Sequence, residues 1–73
     1  MDKPFALELW LQRRDSNTDP DEYEDASDLD QLRRRVEDHR SEGRYVRAVL
    51  WQRRADRPDA WVRIESFDLT NRA

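Results

Sequence analysis

Two stretches in the second half of the chain alternate apolar and polar side chains, and this alternation restricts the fold more than any other feature. Residues 45–54 read YVRAVLWQRR and residues 61–69 read WVRIESFDL. Side chains of a β-strand point alternately to its two faces, so a period of two predicts strands. The connecting residues 55–60, ADRPDA, are polar and contain a proline, which is typical of a turn. The sequence therefore predicts a β-hairpin.

The predicted hairpin has two unlike faces. One face is aliphatic and is expected to form the core, with Val46, Ala48, Leu50, Val62 and Ile64. The other mixes rings with charges, with Tyr45, Arg47, Val49, Trp51, Trp61, Arg63, Glu65 and Phe67. A shift of one residue in the pairing of two strands moves every side chain of one strand to the other face of the sheet. Bringing the aliphatic sets together therefore requires a turn with an odd number of residues, such as 57–59, or a β-bulge near Asp56.

A third alternating stretch, residues 4–14, lies near the N-terminus and predicts a half-buried first strand. One side of this strand is expected to enter the core, with Phe5, Leu7, Leu9 and Leu11. The other side carries Ala6, Glu8, Trp10 and Gln12. Trp10 is thus expected to join the other two tryptophans on one face of the sheet.

Residues 15–26, DSNTDPDEYEDA, predict a flexible acidic loop, because they combine turn-forming residues with a run of carboxylates. The spacing of the acids resembles a calcium-binding loop. However, Pro20 stands where that loop needs glycine and Ala26 where it needs a bidentate glutamate. We therefore expect no metal site in this segment.

Residues 27–43 predict a helix. Ser27 is a suitable N-terminal cap, and Gly43, the only glycine of the chain, suits a left-handed C-terminal cap. The apolar stripe of this helix is narrow and consists of Leu29, Leu32 and Val36. The single histidine, His39, borders the stripe and is expected to close one end of the core.

These elements predict a small α+β domain that spans residues 1–73 in the order β-α-β-β. A helix between the first two strands would let them run parallel, with the third strand between them, in a three-stranded sheet with the helix packed on one face. The first strand and residues 45–51 would then form the edges. Residues 70–73 are expected to be a frayed tail.

Composition excludes several classes of function. The chain has 73 residues and no cysteine, so disulfide staples and thiolate metal sites are absent. There is no glycine-rich phosphate loop, nucleophile elbow or cluster of metal ligands. We therefore expect no cofactor and no enzymatic activity. Residues 1–11 resemble neither a signal peptide nor a membrane span, which favours a cytoplasmic protein of bacterial type that does not contact membranes.

The feature that most suggests a function is the predicted aromatic face of the sheet. Its candidate binding residues are Trp10, Tyr45, Arg47, Trp51, Trp61, Arg63 and Phe67. Rings gathered in one exposed patch usually mark an interface. We therefore expect a small binding or adaptor protein whose partner is a second copy of itself, through this face or a strand edge, or another protein.

Two other functions are compatible with the sequence. The same rings and arginines could bind single-stranded nucleic acid by stacking on bases and contacting phosphates. The acids Glu8 and Glu65, expected on that face, count against this hypothesis. Alternatively, the acidic loop could inhibit a basic partner by mimicking nucleic acid.

Overall fold

A computed structural model of the chain describes residues 3–11 and 19–70. They form one helix and a four-stranded antiparallel sheet, which makes a compact α+β fold. The strands are β1 (Phe5–Trp10), β2 (Glu22–Ala26), β3 (Arg47–Arg53) and β4 (Trp61–Asp68), and the helix is α1 (Leu29–Glu42). The strand order in the sheet is β2-β1-β3-β4, and α1 packs on one face.

The prediction of a three-stranded sheet with its last strand in the middle was wrong. Glu22–Ala26 forms an additional edge strand within the segment expected to be an acidic loop. The chain therefore reverses once more before the helix, so β1 and β3 run antiparallel rather than parallel. The two strands expected at the edges, β1 and β3, are the central pair, and β4 is an edge. Residues 15–18 of the expected loop and residues 71–73 of the expected tail lie outside the described residues.

The helix begins and ends close to the predicted limits. Its N-terminal cap is Asp28 rather than Ser27, and the Asp28 carboxylate accepts a 2.9 Å hydrogen bond from the backbone N–H of Asp30. Gly43 forms the predicted left-handed cap with φ of 73°, and its N–H donates to the carbonyl of His39. Leu32, Val36 and His39 form the buried side of the helix, which confirms that His39 closes the core.

The core lies between α1 and one face of the sheet. Its buried members are Leu7, Leu9, Ala26, Leu32, Val36, Tyr45, Ala48, Leu50 and Leu69. Phe5, Leu11, Leu29, Ile64 and Phe67 are partly buried against this cluster. Val62, predicted to belong to the core, is instead 48% exposed. It lies on the edge strand β4, whereas α1 packs mainly against β1 and β2.

A β-bulge in the β3–β4 ladder sets which side chains face the helix. Leu50 pairs with Glu65 and Trp51 pairs with Arg63, so Ile64 is an extra residue on β4. The predicted turn with an odd number of residues is present, since Arg53 pairs with Trp61 across residues 54–60, whereas this bulge in the middle of the ladder was not predicted. Glu65 consequently faces the helix, where its carboxylate lies 2.8 Å from the guanidinium of Arg33.

Candidate binding face of the sheet

The sheet surface opposite α1 is the candidate site, and we call it the open face. No helix or strand among residues 3–11 and 19–70 packs over it. Its side chains are Ala6, Glu8 and Trp10 on β1, Tyr23 and Asp25 on β2, Arg47, Val49, Trp51 and Arg53 on β3, and Trp61, Arg63, Ser66 and Asp68 on β4. All three tryptophans therefore share one face, as predicted, and each is half-buried.

Two of the seven predicted binding residues lie elsewhere. Tyr45 precedes β3, so strand alternation does not fix its direction, and its ring is buried edge-on against His39 with centroids 4.9 Å apart. Phe67 pairs with Ala48 and packs against the core, because the bulge reverses the alternation of β4 beyond Ile64. The structure brings together the other five predicted residues, Trp10, Arg47, Trp51, Trp61 and Arg63.

One end of the open face is closed by a cation–π pair. Arg47 and Trp10 are cross-strand partners on β3 and β1, and the guanidinium carbon lies 4.8 Å from the centroid of the indole. A guanidinium above an indole is attracted by the negative face of the ring and shields it from water. Because Arg47 covers its ring, Trp10 is less accessible to a stacking ligand than a tryptophan without such a cover.

Trp51 lies near the middle of the open face and is held by a hydrogen bond. Its indole Nε1 donates to Oε1 of Glu8 at 2.6 Å. Its cross-strand partner Ala6 is only 4% exposed although no helix covers it, which indicates that the indole lies across Ala6. The ring is therefore fixed in orientation, with one side against the sheet.

A groove of about 520 Å³ lies beside Trp51. Its lining residues come from all four strands and the β3–β4 turn, and they are Ala6, Glu8, Tyr23, Trp51, Arg53, Pro58 and Trp61. Tyr23 is 54% exposed, and the guanidinium carbon of Arg53 lies 5.8 Å from the ring of Trp61. The groove thus combines three rings with one carboxylate and one guanidinium.

Tyr23 and Arg53 were absent from the predicted site. Tyr23 was missed because the acidic segment was expected to be a loop, although Tyr23 alternates with Glu22 and Glu24 as a strand residue would. Arg53 was not among the predicted binding residues, although it follows Trp51 by two positions and so lies on the same face of β3. The shift in β4 also has a sequence signal. Apart from Trp61, the apolar positions of residues 61–69 change from even numbers (Val62, Ile64) to odd numbers (Phe67, Leu69).

The charges of the open face balance. Among the residues that the structure describes, it carries Arg47, Arg53 and Arg63 against Glu8, Asp25 and Asp68, so three bases face three acids. A surface for a long polyanion is expected to carry an excess of bases. The open face instead offers rings surrounded by charges of both signs.

A second polar cluster lies on the helix side and joins β2 to α1. The guanidinium of Arg35 donates two hydrogen bonds, of 2.9 and 3.0 Å, to the carboxylate of Glu24. Glu24 also lies 2.8 Å from Nε2 of the buried His39. The hydrogen bond from Arg35 lowers the pKa of Glu24, and the contacts with His39 act in the same direction against the opposing effect of burial. An ionised carboxylate only accepts hydrogen bonds, so Nε2 of His39 carries a proton.

Tyr45 completes this cluster and has a perturbed pKa. Its hydroxyl donates to the carboxylate of Glu22 on β2. Burial, assisted by this hydrogen bond and the charge of Glu22, raises the pKa of Tyr45 to about 12. Nδ1 of His39 lies 3.3 Å from the carboxylate of Glu42 without hydrogen-bond geometry. None of these side chains lines the groove of the open face, so the cluster is separate from the candidate site. Its contacts connect strand β2 to helix α1.

Neither a metal site nor a membrane-spanning helix occurs in the part of the chain that the structure describes. No group of three or more His, Cys, Asp or Glu residues there could hold a metal ion. The 14-residue α1 is neither long nor apolar enough to cross a membrane.

Comparison with known proteins identifies no relative. The chain matches no family model, no curated protein and no solved structure.

Proposed function

We propose that this chain is a protein-binding module that associates with a second copy of itself through the open face. The balance of three bases and three acids around the tryptophans carries this proposal. In a twofold interface the same patch meets itself, so the patch must complement its own charges. A face with equal numbers of both signs can do so, whereas a face of one sign would repel its copy.

The dimensions of the molecule also support this proposal. The fold extends 36 × 26 × 17 Å, as expected for one sheet and one helix, so its two broad surfaces are the helix side and the open face. A stable dimer buries about 800 Å² on each partner. That area is about 15% of the 5311 Å² accessible surface of the chain, and the open face carries Tyr23, which is 54% exposed.

Sedimentation over a series of concentrations tests the proposal. The parent chain is expected to change from monomer to dimer as its concentration rises. Trp61→Ser should remain monomeric at concentrations where the parent is a dimer. Val62→Ser is the matched control, because Val62 is the next residue on β4 and points to the opposite side of the sheet. A parent that stays monomeric at the highest attainable concentration would contradict self-association.

The two alternative functions gain less support. Single-stranded nucleic acid would meet Glu8, Asp25 and Asp68 on the same surface as the arginines, and these acids repel phosphates. Inhibition of a basic partner through the acidic segment is weakened because Glu22 and Glu24 already have partners. Glu22 accepts from Tyr45, and Glu24 binds Arg35 and His39.

A further inference from the structure

The groove beside Trp51 has a chemistry that self-association does not require. Its three rings come from three different strands: Tyr23 from β2, Trp51 from β3 and Trp61 from β4. Neighbouring strands lie about 4.8 Å apart, so Tyr23 and Trp61 stand on strands about 14 Å apart with Trp51 between them. The fixed indole of Trp51 can therefore serve as a floor on which a flat ring stacks.

Glu8 and Arg53 lie at opposite sides of this floor. The cross-strand partner of Glu8 is Val49, two residues before Trp51 on β3, whereas Arg53 is two residues after it. A flat ligand on Trp51 would thus meet a hydrogen-bond acceptor at one edge and a donor at the other. Glu8 already accepts a hydrogen bond from the indole at Oε1, which therefore lies beside the edge of Trp51, so Oε2 is the oxygen that a ring stacked on the indole can reach.

We propose that this groove binds guanine, as a free nucleoside, stacked on Trp51 between Glu8 and Arg53. Guanine has two adjacent donors, N1–H and N2–H, that can converge on the two lone pairs of Oε2. Its neighbouring Hoogsteen edge carries the acceptors O6 and N7, which are the preferred partners of arginine. The corresponding edge of adenine would place the lone pair of N1 against the carboxylate, so Glu8 discriminates against adenine.

The charges of the groove favour an uncharged ligand. Glu8 and Arg53 contribute one charge of each sign, so an organic cation that the rings could otherwise bind would meet the guanidinium. A polynucleotide would meet the acids of the surrounding face. A free nucleoside avoids both penalties. This site goes beyond self-association and does not depend on it, although a second copy lying on the open face would cover the groove.

Nuclear magnetic resonance of the full chain tests the proposal, with guanosine as the probe. The three tryptophans give three indole N–H signals, which Trp→Phe variants assign. The protein is kept below the concentration at which it self-associates, so failure of self-association does not affect the result. Guanosine should shift the signals of Trp51 and Trp61 and leave that of Trp10 unchanged, with a Kd on the order of 100 µM.

Related ligands and variants define the contacts. Inosine, which lacks N2, and adenosine should each bind about tenfold more weakly than guanosine or worse. Glu8→Gln should lose a similar factor for guanosine, because its amide presents a donor in place of one acceptor. Asp25→Asn is the matched control, since Asp25 is an acid of the open face outside the groove, and it should bind as the parent does.

Several outcomes would overturn the proposal. Equal affinity for guanosine, inosine and adenosine would show that the bases stack without hydrogen bonds that distinguish them. This comparison uses the parent chain, so it is valid even if Glu8→Gln fails to fold. Tighter binding of tetramethylammonium than of guanosine would make the groove a cation site. Much tighter, salt-dependent binding of a guanine-containing single-stranded tetranucleotide would identify nucleic acid as the ligand.

Discussion

Oε2 of Glu24 lies 2.8 Å from Nε2 of His39, and this contact joins the edge strand β2 to the buried side of α1. Arg35, one turn earlier on the helix, binds the same carboxylate through two hydrogen bonds. Glu24 is thus the common acceptor of two helix side chains and joins β2 to α1.

Glu24→Gln is therefore expected to destabilise the fold by about 1–3 kcal/mol, because an uncharged amide binds Arg35 more weakly and offers one acceptor instead of two. Urea denaturation measures the loss. Glu37→Gln is the matched control, since Glu37 pairs with Arg40 on the exposed side of the same helix, and it should change stability by less than about 0.5 kcal/mol. Equal losses of stability in the two variants would show that the contacts of Glu24 stabilise the fold no more than an exposed ion pair does.

The same carboxylate predicts how stability depends on acid pH. The hydrogen bond from Arg35, assisted by His39, lowers the pKa of Glu24 below its usual value of 4.5. The folded state then binds the proton less tightly than the unfolded state, so the contribution of Glu24 is present above pH 4.5 and is lost as pH falls through the folded pKa. Denaturation midpoints across this range should decrease less steeply for Glu24→Gln than for the parent. If the denaturation midpoints of the parent and of Glu24→Gln decreased equally steeply with falling pH, Glu24 would not be a source of the acid sensitivity.

Tyr45 predicts a second change in stability, at alkaline pH. Burial and the hydrogen bond to Glu22 raise its pKa from 10.0 to about 12. The folded state holds this proton more tightly, so its stabilising contribution is complete below pH 10 and is lost as pH rises toward 12. In a Tyr23→Phe background, phenolate absorbance reports Tyr45 alone, because the chain has two tyrosines. Ionisation of Tyr45 near pH 10 would show that its hydroxyl is accessible to water.

Core packing predicts a contrast between two apolar side chains in neighbouring strands. Leu50→Ala should cost about 2–5 kcal/mol, because Leu50 is fully buried under the helix and its loss leaves a cavity. Val62→Ala should cost less than about 0.5 kcal/mol, because Val62 is largely exposed. Chemical denaturation of both variants measures the difference. An equal loss of stability in the two variants would show that Val62 belongs to the core.

The helix cap gives a prediction that depends on the backbone alone. Gly43 has φ of 73°, which costs a residue with a Cβ atom about 1 kcal/mol. Gly43→Ala should lower the free energy of unfolding by about this amount. Ser41→Ala, two residues earlier in the same turn, keeps a helical conformation and should be neutral or slightly stabilising. An unchanged stability in Gly43→Ala would place the helix end elsewhere.

Local patterns were sufficient to predict the β3–β4 hairpin, the helix and the grouping of the three tryptophans. Alternation determines which side chains share a face, and Gly43 marks the end of the helix without reference to distant residues. These features depend on neighbours in sequence, so the sequence shows them directly. Trp10, Arg47, Trp51, Trp61 and Arg63 lie on the predicted face for this reason.

Contacts between distant residues account for what could not be predicted. Strand β2 is rich in acids, which are poor strand formers, and it is held by Arg35 and His39 from the helix. Its presence reverses the direction of the chain and thereby the whole strand order. The bulge at Ile64 likewise depends on packing across the sheet, since it allows both Ile64 and Phe67 to reach the core.

The acidity of β2 has a consequence for solubility at high concentration. An uncovered strand edge is a template on which another molecule can extend the sheet, and repeated extension produces fibrils. Strand β2 is only five residues long, and the exposed carboxylates of Glu22 and Asp25 would meet those of an approaching identical edge. Like charges at such short range repel, so we expect the acidic edge to oppose chain-to-chain polymerisation at that side of the sheet.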